Sequence, residues 1–134
     1  MKKLIFIIDD DREEQDIFNI VLDHAGIAHD CIWADGAETA LRMLQKLQPG
    51  FIFLDLNMPK INGLACLPAL RRMENLRQVP IFLYSTYISD ETRKLAIERG
   101  ASKCIEKPDS EKVLLEILQE VLFADRFAGN TATC

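Results

Sequence analysis

Residues 4–11 read Leu4-Ile5-Phe6-Ile7-Ile8-Asp9-Asp10-Asp11, five apolar side chains followed at once by three carboxylates. A run that is apolar at every position, without polar alternation, fits a strand covered on both faces. The pattern returns at Phe51-Ile52-Phe53-Leu54-Asp55 and at Ile81-Phe82-Leu83-Tyr84-Ser85. Strands buried on both faces imply a parallel sheet with helices packed on either side.

Working outward, weaker strand signals lie at 31–34 and 103–105, the latter short and polar enough for a sheet edge. Helical patterns fill the gaps. Asp11 and Glu14 make a capping-box-like start, with Ile17, Phe18, Val21 and Leu22 as an apolar stripe. The next helix is expected over 37–47, stopped by Pro49-Gly50, and a third over 63–73 with Pro68 inside it. Ser89 opens a fourth that ends before Gly100, and the longest is expected over 109–123. Five βα units joined by right-handed crossovers predict an α/β, doubly wound, five-stranded parallel sheet of order 2-1-3-4-5.

At 134 residues the chain suits one domain, expected over 2–123 with a frayed tail over 124–134 and no output domain. Sixteen Lys and Arg against 21 Asp and Glu leave a formal charge of −5, which opposes general binding to phosphate backbones. The basic group Arg71, Arg72 and Arg77 belongs to no groove-reading motif, so no nucleic-acid partner is expected. No apolar run approaches the ~20 residues of a spanning helix, so no membrane partner is expected either. Met1-Lys2-Lys3 before an apolar run resembles an export signal, but Asp9 cuts that run short. Cys31, Cys66, Cys104 and Cys134 are too widely spaced for a zinc or redox motif, which points to a reduced, cytoplasmic chain.

The strand ends carry the chemistry. Asp9, Asp10 and Asp11 follow the first strand, Asp55 the third, Ser85 the fourth, and Lys107-Pro108 the fifth. Each residue alone has an ordinary explanation as a cap, turn or surface group. Ligands of open α/β sheets sit beyond the carboxyl ends of the strands, and these groups all fall on that edge. Clustered carboxylates repel, and a hard cation such as Mg²⁺, held by one or two carboxylates and a phosphate oxygen, would relieve them.

The elements Ile7-Ile8-Asp9-Asp10-Asp11, Phe53-Leu54-Asp55-Leu56-Asn57-Met58-Pro59-Lys60-Ile61-Asn62-Gly63, Ser85 and Lys107-Pro108 resemble the receiver domain of two-component response regulators. The resemblance covers residues 2 to about 123 and implies a flavodoxin-like receiver fold. It implies that Asp55 is the phosphoacceptor and that Asp10 ligates Mg²⁺ directly, with Mn²⁺ as a substitute. It implies that Asp9 acts on the metal mainly through water and that the Asn57 backbone carbonyl completes the site. Ser85 would be the switch hydroxyl and Lys107 the lysine that pairs with the phosphoryl group. A cis Lys107–Pro108 peptide is implied as well.

On this resemblance the chain is a response regulator phosphorylated by a sensor histidine kinase or a histidine phosphotransfer protein. It would act on a downstream protein target, with no enzymatic activity beyond self-phosphorylation and autodephosphorylation. Two positions depart from the pattern. Thr86 is larger than the usual small residue, and Cys104 stands where the family usually has an aromatic that reports phosphorylation. A flavin binder would need a phosphate-cradling loop in place of three Asp. An aspartyl-nucleophile phosphatase would leave the Asp55 motif unexplained. A phosphorylation-independent adaptor of receiver fold is the remaining alternative, and it rests on Cys104.

Overall fold

The computed structural model describes residues 2–124; of the tail expected over 124–134, all but Ala124 lies outside the described residues. In chain order the elements are β1 (Lys3–Ile8), α1 (Glu13–His24), β2 (His29–Ala34), α2 (Ala37–Met43), β3 (Phe51–Leu54) and α3 (Gly63–Arg72). After a 3-10 turn at Glu74–Leu76 come β4 (Ile81–Ser85), α4 (Asp90–Glu98), β5 (Lys103–Glu106) and α5 (Glu111–Phe123). The sheet order is β2-β1-β3-β4-β5 and all four pairings are parallel, as the alternation of runs and helices predicts.

The fully apolar strands are explained by two cores. Phe6, Ile8, Ile52, Leu54, Ile81 and Leu83 face α2, α3 and α4, where Ala40, Leu67, Leu70 and Ala96 meet them. Their chain neighbours Ile5, Ile7, Phe51, Phe53, Phe82 and Tyr84 face α1 and α5 and pack on Phe18, Leu22, Leu114 and Leu118. Phe18 and Phe53 meet edge to face with centroids 5.0 Å apart, which fixes α1 on the sheet.

Register places the site. Ile8 pairs with Leu54 across β1 and β3, so the residues that follow, Asp9 and Asp55, emerge side by side. The Asp55 backbone N–H donates to the Ile8 carbonyl at 2.9 Å, extending the ladder one step past the strand. The Lys107 N–H donates to the Ser85 carbonyl at 2.8 Å and does the same between β4 and β5.

Two expectations are corrected. α2 ends at Met43 rather than near Leu47. The Asn75 side chain takes the carbonyls of Leu44 and Leu47 at 2.9 and 3.3 Å, and Leu44 stays buried in a tightened turn. The Lys107–Pro108 peptide is trans, since the described residues contain no cis peptide. A third feature went unread in the sequence: the Arg71 guanidinium turns inward and donates to four carbonyls and a hydroxyl.

Those acceptors are the carbonyls of Gly100, Leu76, Val79 and Arg77, at 2.8, 2.7, 2.8 and 3.3 Å, and Ser102 Oγ at 3.3 Å. One side chain thus ties the end of α3 to the 3-10 turn and to the α4–β5 turn. Lysine has no planar fork with which to repeat this. Arg71→Ala and Arg71→Lys are both expected to cost about 2–4 kcal/mol in urea unfolding. A loss for either variant of about 0.5 kcal/mol or less, the scale of surface changes, would contradict this role.

Candidate functional site

Lys107 is the hub of the site. Its ammonium lies 3.0 Å from Glu14 Oε2, 3.1 Å from Asp9 Oδ2 and 3.9 Å from Asp55 Oδ1. The Tyr84 ring lies beneath it, 5.6 Å from Nζ to centroid. Asp9, Asp55 and Glu14 are all buried, whereas Asp10 points outward.

Secondary structure positions each of these groups. Asp9 is held by its backbone, whose N–H donates to the Ala34 carbonyl and whose own carbonyl accepts from the Trp33 indole at 2.8 Å. One carboxylate oxygen of Asp9 accepts from the Asp11 N–H at 2.9 Å. Asp55 is held by β3 and by the close approach of α3. A Cβ at Gly63 would collide with the Asp55 carbonyl, so only glycine lets the helix start there. Asn62 caps that helix by accepting from the Ala65 N–H at 2.9 Å. Ser85 is fully buried at the end of β4, and its oxygen accepts from Asn57 Nδ2 at 3.2 Å.

The charges act on one another. Burial, reinforced by the neighbouring Asp9 carboxylate, pushes Asp55 up to about 6, although Lys107 and hydrogen bonds from Asn57 and Ser85 pull the other way. Burial also raises Asp9. Burial alone would lower Lys107, but its bond to Glu14 and the charges of Asp55 and Asp9 outweigh that and raise it. Lys107 is a permanent cation at neutral pH, and Asp55 is mostly ionised there with its proton held unusually tightly.

Asp9, Asp10 and Asp55 each offer a carboxylate oxygen, all within 4.8 Å of one another. Three hard oxygen donors from adjacent strand ends, open to solvent on the Asp10 side, fit Mg²⁺ or Mn²⁺. Such an ion would neutralise the charge that Lys107 alone leaves over.

The residues expected from the strand ends are thus brought together, with Asp9, Asp55 and Lys107 in contact range and Ser85 bonded to both Asp55 and Asn57. Glu14 was missed. It was read as half of a capping box, but the Asp11 carboxylate accepts from the Glu13 N–H at 3.0 Å and Glu14 turns to Lys107 instead. The signal lay in helical spacing. Glu14, Phe18 and Val21 share the buried stripe of α1, and a carboxylate on such a stripe needs a cation. The side chain of Asn57 was missed too, because only its backbone had been given a role.

Fold and site together define a doubly wound α/β domain with an acidic cluster and a half-buried lysine beyond the carboxyl ends of its strands. The family model for the response regulator receiver domain matches residues 5–119, and the chain belongs to that family. Phosphorylation on an aspartate is general in it. The chain is 31% identical over 91% of its length to a transcriptional regulatory protein CpxR homolog of Haemophilus influenzae, covering 51% of that protein. It is 39% identical over 74% of its length to the transcriptional regulatory protein PrrA of Mycobacterium tuberculosis, covering 40% of it. It therefore spans about half the length of these curated relatives or less. Among solved structures, the chemotaxis protein CheY4 of Vibrio cholerae matches with a TM-score of 0.77 at 26% identity, over 90% of this chain and 99% of that one. No helix among the described residues is long and apolar enough to cross a membrane.

A pH dependence follows from Asp55. Its carboxyl holds a proton more tightly folded, with a value of about 6, than at its ordinary 3.8. The resulting cost is absent below the ordinary value and fully present above the raised one. Without divalent ions, stability is therefore expected to fall as pH rises through that window. Asp55→Asn should flatten the slope and gain roughly 1–3 kcal/mol at neutral pH. Urea unfolding in chelator across the window checks this, and a variant no more stable than wild type at neutral pH would contradict it.

Proposed function

We propose that Asp55 accepts a phosphoryl group from a sensor histidine kinase or a histidine phosphotransfer protein, and that the chain signals through protein contacts or onward phosphotransfer. The observation that supports this most is the buried Asp55 carboxylate, lying beside Asp9 and facing the ammonium of Lys107 at 3.9 Å. Asp9, Asp10, Asp55 and the Asn57 backbone carbonyl are proposed to hold Mg²⁺ or Mn²⁺. Bound there, the cation supplies positive charge to the phosphoryl oxygens.

The remaining chemistry belongs to the chain's own residues. An oxygen of ionised Asp55 attacks phosphorus, and the bond from phosphorus to the donor's leaving group breaks, with the electron pair departing on that group. No general base is needed, because above about pH 6 the Asp55 carboxyl has already lost its proton. The product is an aspartyl phosphate, a mixed anhydride. Lys107 directs an N–H at the new oxygens. The Ser85 oxygen accepts from Asn57, and its hydrogen, directed at Asp55 before transfer, turns to a phosphoryl oxygen afterwards.

With Cys104 in place of an aromatic, the conformational response is proposed to run through Ser85 and the loop after β4, where Tyr87 is 70% exposed. Glu106 on β5 connects that loop to α4. Its carboxylate accepts from the Ile88 N–H at 3.1 Å and lies 3.6 Å from Arg93. A cytoplasmic setting fits the free thiols of Cys31, Cys66 and Cys104.

Incubation with acetyl phosphate and Mg²⁺ is expected to add one phosphoryl group by intact mass, and to add none in chelator or with Asp55→Asn. A folded protein that takes no label under any of these conditions would favour the phosphorylation-independent adaptor. Beryllofluoride should shift the NMR signals of α4 and the Tyr87 loop in wild type and much less in Ser85→Ala. Equal shifts in both proteins would remove Ser85 from the switch.

A further inference from the structure

Glu14 is left over by the chemistry above. It lies on α1, outside the cluster of Asp9, Asp10 and Asp55 that fits a metal, yet it is the nearest carboxylate to Lys107 at 3.0 Å. An ammonium has three N–H groups. In this structure Glu14 and Asp9 each stand at bonding distance, while Asp55, at 3.9 Å, lies beyond a hydrogen bond. The lysine is therefore drawn toward α1 and away from the nucleophile. One N–H remains, but a phosphoryl group on Asp55 would have to share the single positive charge with Glu14 and pull the ammonium back from α1.

We infer that Glu14 is a positioning residue that restrains phosphoryl acceptance by sequestering Lys107, an inference that rests on the phosphoacceptor reading of Asp55. A carboxylate that faces both an ammonium and an approaching dianion opposes transfer in two ways: it occupies the cation and it repels the donor. Both effects have the same sign. Glu14 and Lys107 line an open cleft of about 370 Å³ with Tyr84, Thr86 and Ser110, so the carboxylate has room to release the lysine when phosphate arrives. The restraint sets how readily the domain charges itself from small donors.

The test is the rate of Asp55 phosphorylation by acetyl phosphate in saturating Mg²⁺, for wild type, Glu14→Gln, Lys107→Met and the double variant. Glu14→Gln keeps the shape and an acceptor oxygen but removes the charge. It is expected to speed labelling about threefold or more, the scale of losing a competing ion pair in a partly buried site. In the Lys107→Met background the same substitution should give a clearly smaller gain, because most of the effect passes through the lysine. Glu14→Ala serves as a second variant and should change the rate in the same direction. A merely structural Glu14 would lower thermal stability and leave the rate unchanged or slower, and that result would overturn the inference. Equal acceleration with and without Lys107 would also overturn it, by assigning the whole effect to repulsion of the donor. If wild type takes no label, the phosphoacceptor reading fails and this inference fails with it. If wild type labels and the variants do not differ from it, only the role of Glu14 is lost.

Discussion

One ammonium stands among carboxylates that would otherwise repel one another. Lys107 touches Glu14 and Asp9 and faces Asp55, with Asp10 just outside, so the local charge remains negative after every ion pair is counted. Such an arrangement stores unfavourable energy, and it persists only because the backbone around it is over-determined. Strand register puts Asp9 beside Asp55, and Gly63 admits the α3 backbone against the Asp55 carbonyl. The apolar layers on both faces of the sheet keep β1 and β3 from yielding to the repulsion. The residual charge is also what a divalent cation at the site would relieve.

Much of this was legible in the sequence because it depends on short-range pattern. Unbroken apolar runs reveal strands buried on both sides, and polar groups at their ends reveal the edge where ligands sit. What escaped depends on contacts between distant residues. Glu14 satisfied a local capping rule and so hid an ion pair with a residue on the far edge of the sheet. Arg71 carried no signal in the sequence, because its five acceptors lie in two separate segments, 76–79 and 100–102. The early end of α2 depends on Asn75, far along the chain. The implied cis peptide came from resemblance rather than from any local signal, and here the bond is trans.

Cys104 sits among polar contacts that tie three elements together. The thiol side chain is half-buried and packs beside the α2–α4 core, while its backbone carbonyl accepts from Arg93 at 3.3 Å. Arg93 also pairs with Glu106, and Glu106 holds the Ile88 N–H. Polar links between α4, β5 and the β4–α4 loop therefore run directly past Cys104. A rearrangement at Ser85 is three residues from Ile88, close enough to be felt there through the backbone.

The central claim, that the excess negative charge at the ends of β1 and β3 forms a cation site, has a direct optical test. Trp33 is the single tryptophan, and its indole N–H bonds the Asp9 carbonyl at 2.8 Å, so its emission reports on that strand end. Titration of metal-free protein with Mg²⁺ should give a saturable fluorescence change that fits one site, with calorimetry giving the same midpoint. Asp10→Asn should weaken the binding severalfold while leaving the fold intact by circular dichroism. The absence of saturable binding by both methods, or binding unaffected by Asp10→Asn, would contradict the account.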